Sequence, residues 1–210
     1  MGGPVPDAMH GLLPWWEPRD LAGTQDEYYR ALLASPRAAS RRTPLVDEKG
    51  RLNGPFNPFL TAPEAGLVLE RLGTALRFPG RLPAVVFESV VLIVAAERSA
   101  SYEWYAHAPL AADAGLSVEQ IESARGREYA PLAQTVSPDL VELVLCTLDH
   151  REPAEQTVAR LSESLGAGAV TEVVVTAAFY DLLASVMRTW RSPMPPDVAD
   201  PFHSGGATGH

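Results

Sequence analysis

The stretch LPAVVFESVVLIVAAERSASYEWYAH, residues 82–107, decides how this chain folds. Its first part, Leu82 to Ala96, is a long apolar run with Glu88 in its middle. At about 15 residues it falls short of the roughly 20 that a membrane helix needs, so it reads as a buried core helix over 83–98. In the second part, Glu103 and His107 stand four residues apart, and a helix over 101–114 stacks them on one face. The carboxylate then fixes the imidazole tautomer and raises its basicity, which suits proton transfer near neutral pH. An exposed pair with this spacing would contribute only a few tenths of a kcal/mol. Tyr102, Trp104, Tyr105 and the alanines 106, 108, 111 and 112 point instead to a helix packed on several sides.

Working outward, helix starts recur. Thr24 with Glu27, Thr61 with Glu64 and Ser117 with Gln120 have the spacing of a capping box, and Pro138 after Ser137 suits a first helical position. Helices are expected near 24–35, 63–77, 83–98, 101–114, 118–125, 137–150, 153–165 and 168–190. No strand is expected, because Val173, Val174 and Val175 lie inside a longer Ala/Leu-rich segment with no Asn-Gly or Asp-Gly turn nearby. The fold class is all-α, a bundle of about eight helices. The Pro-, Arg- and Ser-containing residues 36–46 and the segment Asn53 to Phe59 are irregular. From Ser192 onward, prolines and glycines suggest an extended arm or disorder.

Composition narrows the partners. The chain has 210 residues, 46% of them hydrophobic, enough for one domain with a buried core. With 26 acidic against 17 basic residues the net charge is -9, and no basic stripe is present. Nucleic acid and anionic membrane are therefore not expected. The single cysteine, Cys146, makes no intrachain disulfide, Cys-based metal cage or CxxC pair. No secretory signal pattern opens the sequence, and the cytoplasm is the expected compartment. No histidine spacing suits a metal, so no metal is expected. His10, His203 and His210 fall in expected flexible ends, and His150 in an expected helix terminus.

Two further residues stand out. Glu88, in a helix apolar almost all round, is either paired structurally or protonated as a donor. Asn57, between Phe56 and Pro58, either offers its amide N–H to a substrate oxygen or simply forms a turn. Tyr180 and Asp181 lie in the apolar C-terminal helix, facing a pocket or an interface.

Several of these motifs resemble the carboxymuconolactone decarboxylase family. They are the Glu-bearing apolar helix, Tyr102-Glu103-Trp104-x-x-His107, Leu110-Ala111 and Ala114-Gly115-Leu116-Ser117. Gly54 to Phe59, Pro63-Glu64 and Phe179-Tyr180 extend the resemblance over about residues 45–191, with 1–44 as an added N-terminal helical extension and 192–210 as a tail. The resemblance implies an all-α fold around a helical hairpin. It also implies a homo-oligomer (dimer, trimer or hexamer) with the active site near a subunit interface. Related alkylhydroperoxidases carry Glu, CxxC and His. Here Glu88 and His107 hold the outer positions while Ala100 and Glu103 replace the cysteines, so thiol peroxidase chemistry is lost.

What the resemblance implies is a cofactor-free, decarboxylase-like lyase acting on a small carbonyl or lactone acid. His107 protonates carbon, Glu103 orients His107 and Glu88 holds or protonates the same pocket; these three are the catalytic candidates. Asn57 donates to the substrate oxygen, with Phe56, Trp104 and Tyr180 as further binding candidates. Longer relatives often carry an Arg-His pair where this chain has Ala96-Glu97-Arg98, leaving Arg98 to take the substrate carboxylate. The same acid-base residues would also serve an isomerase, cyclase, dehydratase or lactone hydrolase. A non-catalytic helical assembly protein is the remaining alternative.

Overall fold

The structure, a computed structural model, describes residues 8–36, 38, 43–78 and 80–203. It is all-α: 67% of it is helical, in about ten helices rather than eight, with almost no strand. The chain forms two compact units. The first comprises Met1–Pro79 and Ser185–Val198; the second comprises Gly80–Ala184 and Ala199–His210. Residues 45–79 thus pack with the N-terminal segment, and the break falls after 79 where sequence placed one at 44. His210 and residues 37 and 39–42 of the expected irregular stretch lie outside the described residues.

In the first unit, α1 (Thr24–Ala34) packs on α2 (Pro63–Arg77). The close approach needs Gly66, where a Cβ would meet the Tyr28 ring at 2.9 Å and Phe59 Cβ at 3.0 Å. Two expected capping boxes do not form. Gly23 precedes α1 and leaves Thr24 inside the helix, while Thr61 gives its hydroxyl to Pro58 O at 2.7 Å and Ala62 precedes α2. A hairpin missed in the sequence pairs β1 (Met9–His10) with β2 (Leu13–Pro14). Its turn opens on Gly11 at φ 67°, where a Cβ would lie 2.2 Å from Trp190 O. Far from lying in a flexible end, His10 is buried against Trp15, with ring centroids 5.3 Å apart. The Arg51 guanidinium covers the Trp15 ring at 3.8 Å.

The second unit is built on the hairpin of α3 (Ala84–Arg98) and α4 (Ser101–Asp113). Eleven consecutive residues of α3, Val86 to Ala96, are buried, which is why the helix is apolar all round. Ser99 ends it in the left-handed region at φ 49°. Ala100 N donates to Ala95 O at 2.8 Å and Ser99 N to Ala96 O at 3.1 Å, the paired bonds that satisfy terminal carbonyls. Arg127 adds a clamp, donating from Nε to Ala96 O at 3.1 Å and from Nη2 to Ser99 Oγ at 3.1 Å. The bend is two residues long, so α4 folds straight back along α3.

The unit continues with α5 (Val118–Arg125), α6 (Ala130–Val136), α7 (Pro138–Leu148), α8 (Glu155–Leu165) and, as far as Ala184, α9 (Ala167–Trp190). The expected capping box of α5 is present: Gln120 N donates to Ser117 Oγ at 3.2 Å, and Ser117 N to Gln120 Oε1 at 2.9 Å. α7 starts as expected at Pro138, with Ser137 Oγ accepting from Leu140 N. α6 was not expected; it is seven residues long and its N-cap, Tyr129, makes no side-chain cap. α9 is long and apolar enough to cross a membrane, a fact the sequence reading missed by stopping at Leu82 to Ala96, and half of its most apolar window is buried. In the second unit that helix buries Val170, Val173, Ala177, Tyr180 and Ala184, spaced alternately by three and four.

The tail turns at Asp197, with Val198 N donating to Pro195 O, and is seated over 200–203. Asp200 accepts from Ser101 Oγ at 2.6 Å and from the backbone of Phe202 and His203. The Phe202 ring stands on Trp104 at 5.4 Å, and Arg125 donates to Pro201 O at 3.0 Å.

Candidate acid-base site

The α3–α4 hairpin sets Glu88 and His107 side by side. Glu88 Oε2 lies 2.8 Å from His107 Nδ1, and both side chains are buried, at 4% and 7% exposure. This replaces the expected Glu103–His107 pairing. Although four residues apart on one helix, Glu103 and His107 make no hydrogen bond to each other, and the carboxylate that orients the imidazole comes from α3, nineteen residues earlier. Glu88 at Nδ1 fixes the tautomer and the orientation of the ring. Tyr180 of α9 stands edge-on to the imidazole, centroids 5.0 Å apart at 85°, and also meets Phe87 at 6.0 Å and Phe179 at 5.4 Å. Tyr180 thereby walls the pair on its apolar side.

Glu103 occupies a different setting. It is 3% exposed, and neither carboxyl oxygen has a hydrogen-bond partner among the described residues. Burial pushes this carboxyl well above the usual carboxylate range, and the charge of Asp181 pushes it further in the same direction. Asp181 is itself held by Arg98, whose Nε donates to it at 2.6 Å while Nη2 donates to Leu148 O at 2.8 Å. Arg98 is therefore committed within the unit, and taking a substrate carboxylate would mean giving up a tight ion pair. Trp104 is buried beneath Phe202.

Asn57 and Phe56 belong to the first unit. Asn57 is fully buried, its Nδ2 donates to Pro14 O at 3.0 Å, and its Oδ1, an acceptor, has no partner among the described residues. The amide N–H expected to serve a substrate oxygen is thus engaged in fixing the hairpin. Phe56 is buried, and its carbonyl accepts from Tyr28 Oη at 3.4 Å. Cys146 is buried on α7. Among the described residues, no group of three or more His, Cys, Asp or Glu is arranged to hold a metal ion.

The sequence reading missed Asp181 as the charge beside Glu103, and the seat of the tail on Trp104. For the first, Asp181 stood out as a polar residue of a largely apolar helix, but no local pattern ties it to Glu103. For the second, the aromatic at 202 just after a proline stood out from its surroundings only weakly. In comparisons with known proteins, no family model matches the chain, and neither a curated protein nor a solved structure is found similar to it.

Proposed function

We propose that the chain is a cofactor-independent lyase, decarboxylase-like, acting on a small carbonyl or lactone acid, with His107 as the acid-base group and Glu88 as its orienting carboxylate. The observation that carries this is the buried Glu88 Oε2–His107 Nδ1 contact of 2.8 Å in an apolar hairpin. A buried imidazole with one nitrogen held by a carboxylate is the usual arrangement for delivering or removing a proton at the other. The motifs shared with the carboxymuconolactone decarboxylase family support the same chemistry, and Glu103 in place of a thiol directs the site to protons rather than electrons. The family resemblance also supports a homo-oligomer.

The test is incubation of the purified chain with unsaturated lactone acids and β-keto acids, following carbon dioxide release. Release is expected, with a loss of about 100-fold or more in His107→Ala. No release from any of them, or release unaffected by His107→Ala, overturns the lyase. Product mass distinguishes the related reactions: an unchanged mass marks an isomerase or cyclase, and gain or loss of water marks a hydrolase or dehydratase.

A further inference from the structure

Glu103 is the buried ionisable group that the Glu88–His107 pair does not use. Glu88, Arg98, Arg125 and Asp181, on helices α3, α5 and α9, are engaged with other groups. On α3, Glu88 holds His107, and Arg98 gives its guanidinium to Asp181 and Leu148 O. On α5, Arg125 is bound to Glu122 and to Pro201 O. On α9, Asp181 brings a second negative charge to bear on Glu103. An ionised Glu103 would be an uncompensated buried charge beside another of the same sign, among the costliest arrangements a fold can hold. The neutral acid avoids that cost, and it carries an O–H donor. Buried donors are rarely left unused, and this one has no acceptor among the described residues.

We infer that Glu103 stands as a neutral carboxylic acid whose O–H donates to an uncharged ligand oxygen, a ketone, ester or lactone carbonyl, with Asp181 and Arg98 as the positioning residues that keep it so. A carboxylate or phosphate placed there would face Asp181, and an ammonium group has no lone pair to accept the O–H. Asp181 also makes full release of the proton unfavourable, so Glu103 stabilises charge on the ligand oxygen by hydrogen bonding rather than by surrendering its proton. An apolar site that keeps a carboxylic acid neutral for this purpose is an established catalytic device. Its part in a reaction rests on the acid-base reading of Glu88 and His107. As a carboxyl carbon leaves as carbon dioxide, the electron pair of the broken C–C bond delocalises onto the carbonyl oxygen held by Glu103. Protonated His107 then returns a proton to carbon and is reprotonated by water.

Infrared spectroscopy of the full chain tests the inference without needing turnover. At pH 7 the difference between the wild type and Glu103→Gln is expected to contain one protonated-carboxyl C=O band. In Asp181→Asn, which keeps Glu103, that band is expected to disappear at lower pH than in the wild type; this comparison carries the test if Glu103→Gln does not fold. Cyclohexenone as probe is expected to shift both the acid band and its own C=O stretch, and benzoate to leave them unchanged. A wild type without the band, a band insensitive to cyclohexenone, or a band abolished by methylammonium each overturns the inference. Band and ketone shift without turnover of any carbonyl acid retain the donor and overturn the lyase. Turnover lost in His107→Ala, with no acid band, does the reverse.

Discussion

Among the described residues, each unit buries an ionisable side chain whose polar atoms lack a hydrogen-bond partner, and the two have opposite chemistry. The first buries the imidazole of His10, whose Nδ1 has no hydrogen-bond partner among the described residues. Burial, helped by the charge of Arg51, pulls its pKa down to about 4. The second buries the carboxyl of Glu103, and burial together with Asp181 pushes it up. Desolvation favours the neutral form in both cases, so one physical cause weakens the two units at opposite ends of the pH scale. Unfolded, His10 takes up a proton below about 6.5; folded, it resists until about 4. The first unit therefore loses stability as pH falls through that window. Unfolded, Glu103 releases its proton above about 4.5, whereas folded it keeps it to much higher pH. The second unit is accordingly favoured in acid and loses stability as pH rises above that value.

The comparison breaks most forcefully at Glu88. Glu88→Ala leaves His107 buried without its carboxylate and is expected to cost about 3–5 kcal/mol in urea unfolding followed by circular dichroism, with Glu88→Gln costing less. A loss under 1 kcal/mol would mean that the second unit tolerates unpaired buried groups in general, and that Glu103 is nothing special. Next is the acid limb of the first unit. Stability of the wild type is expected to fall by about 3 kcal/mol between pH 6.5 and 4 on account of His10. His10→Phe, which keeps a ring against Trp15, should remove that component; an unchanged profile would assign the acid sensitivity elsewhere. The smallest effect is at the end of α3. Arg127→Ala removes the clamp on Ala96 O and Ser99 Oγ and is expected to cost about 1 kcal/mol at every pH, a pH-independent reference for the other two.

The all-α fold and the two helices that become α3 and α4 were legible in the sequence as an apolar run interrupted by one acid, followed by a Glu/His-bearing segment; that they form a hairpin was what the family resemblance implied. Local rules succeeded where the side chain had no better partner, as at Ser117 with Gln120. They failed where one was closer to hand, as at Thr61, whose hydroxyl went to Pro58 O. The β1–β2 hairpin escaped notice because its turn uses Gly11 alone, without the Asn-Gly or Asp-Gly pair that marks such turns. At the site, both Glu88 and His107 were singled out, but the imidazole was given to the wrong carboxylate. Spacing of four along one helix is visible in a sequence, whereas adjacency across a hairpin depends on rotation and register of two helices, which no local pattern records. Asn57 shows the same limit: its partner, Pro14, lies 43 residues away.

The chain passes from the first unit to the second after residue 79, back at 185 and across again at 199. This interleaving bears on synthesis. Domains of a chain generally fold as units while it is made, N-terminal first. Here the first unit lacks its last segment until residue 198 has emerged from the ribosome, and the second lacks the residues that seat Phe202 on Trp104 until still later. A nascent chain stalled near residue 180 would carry all of α1 to α8 with neither unit closed.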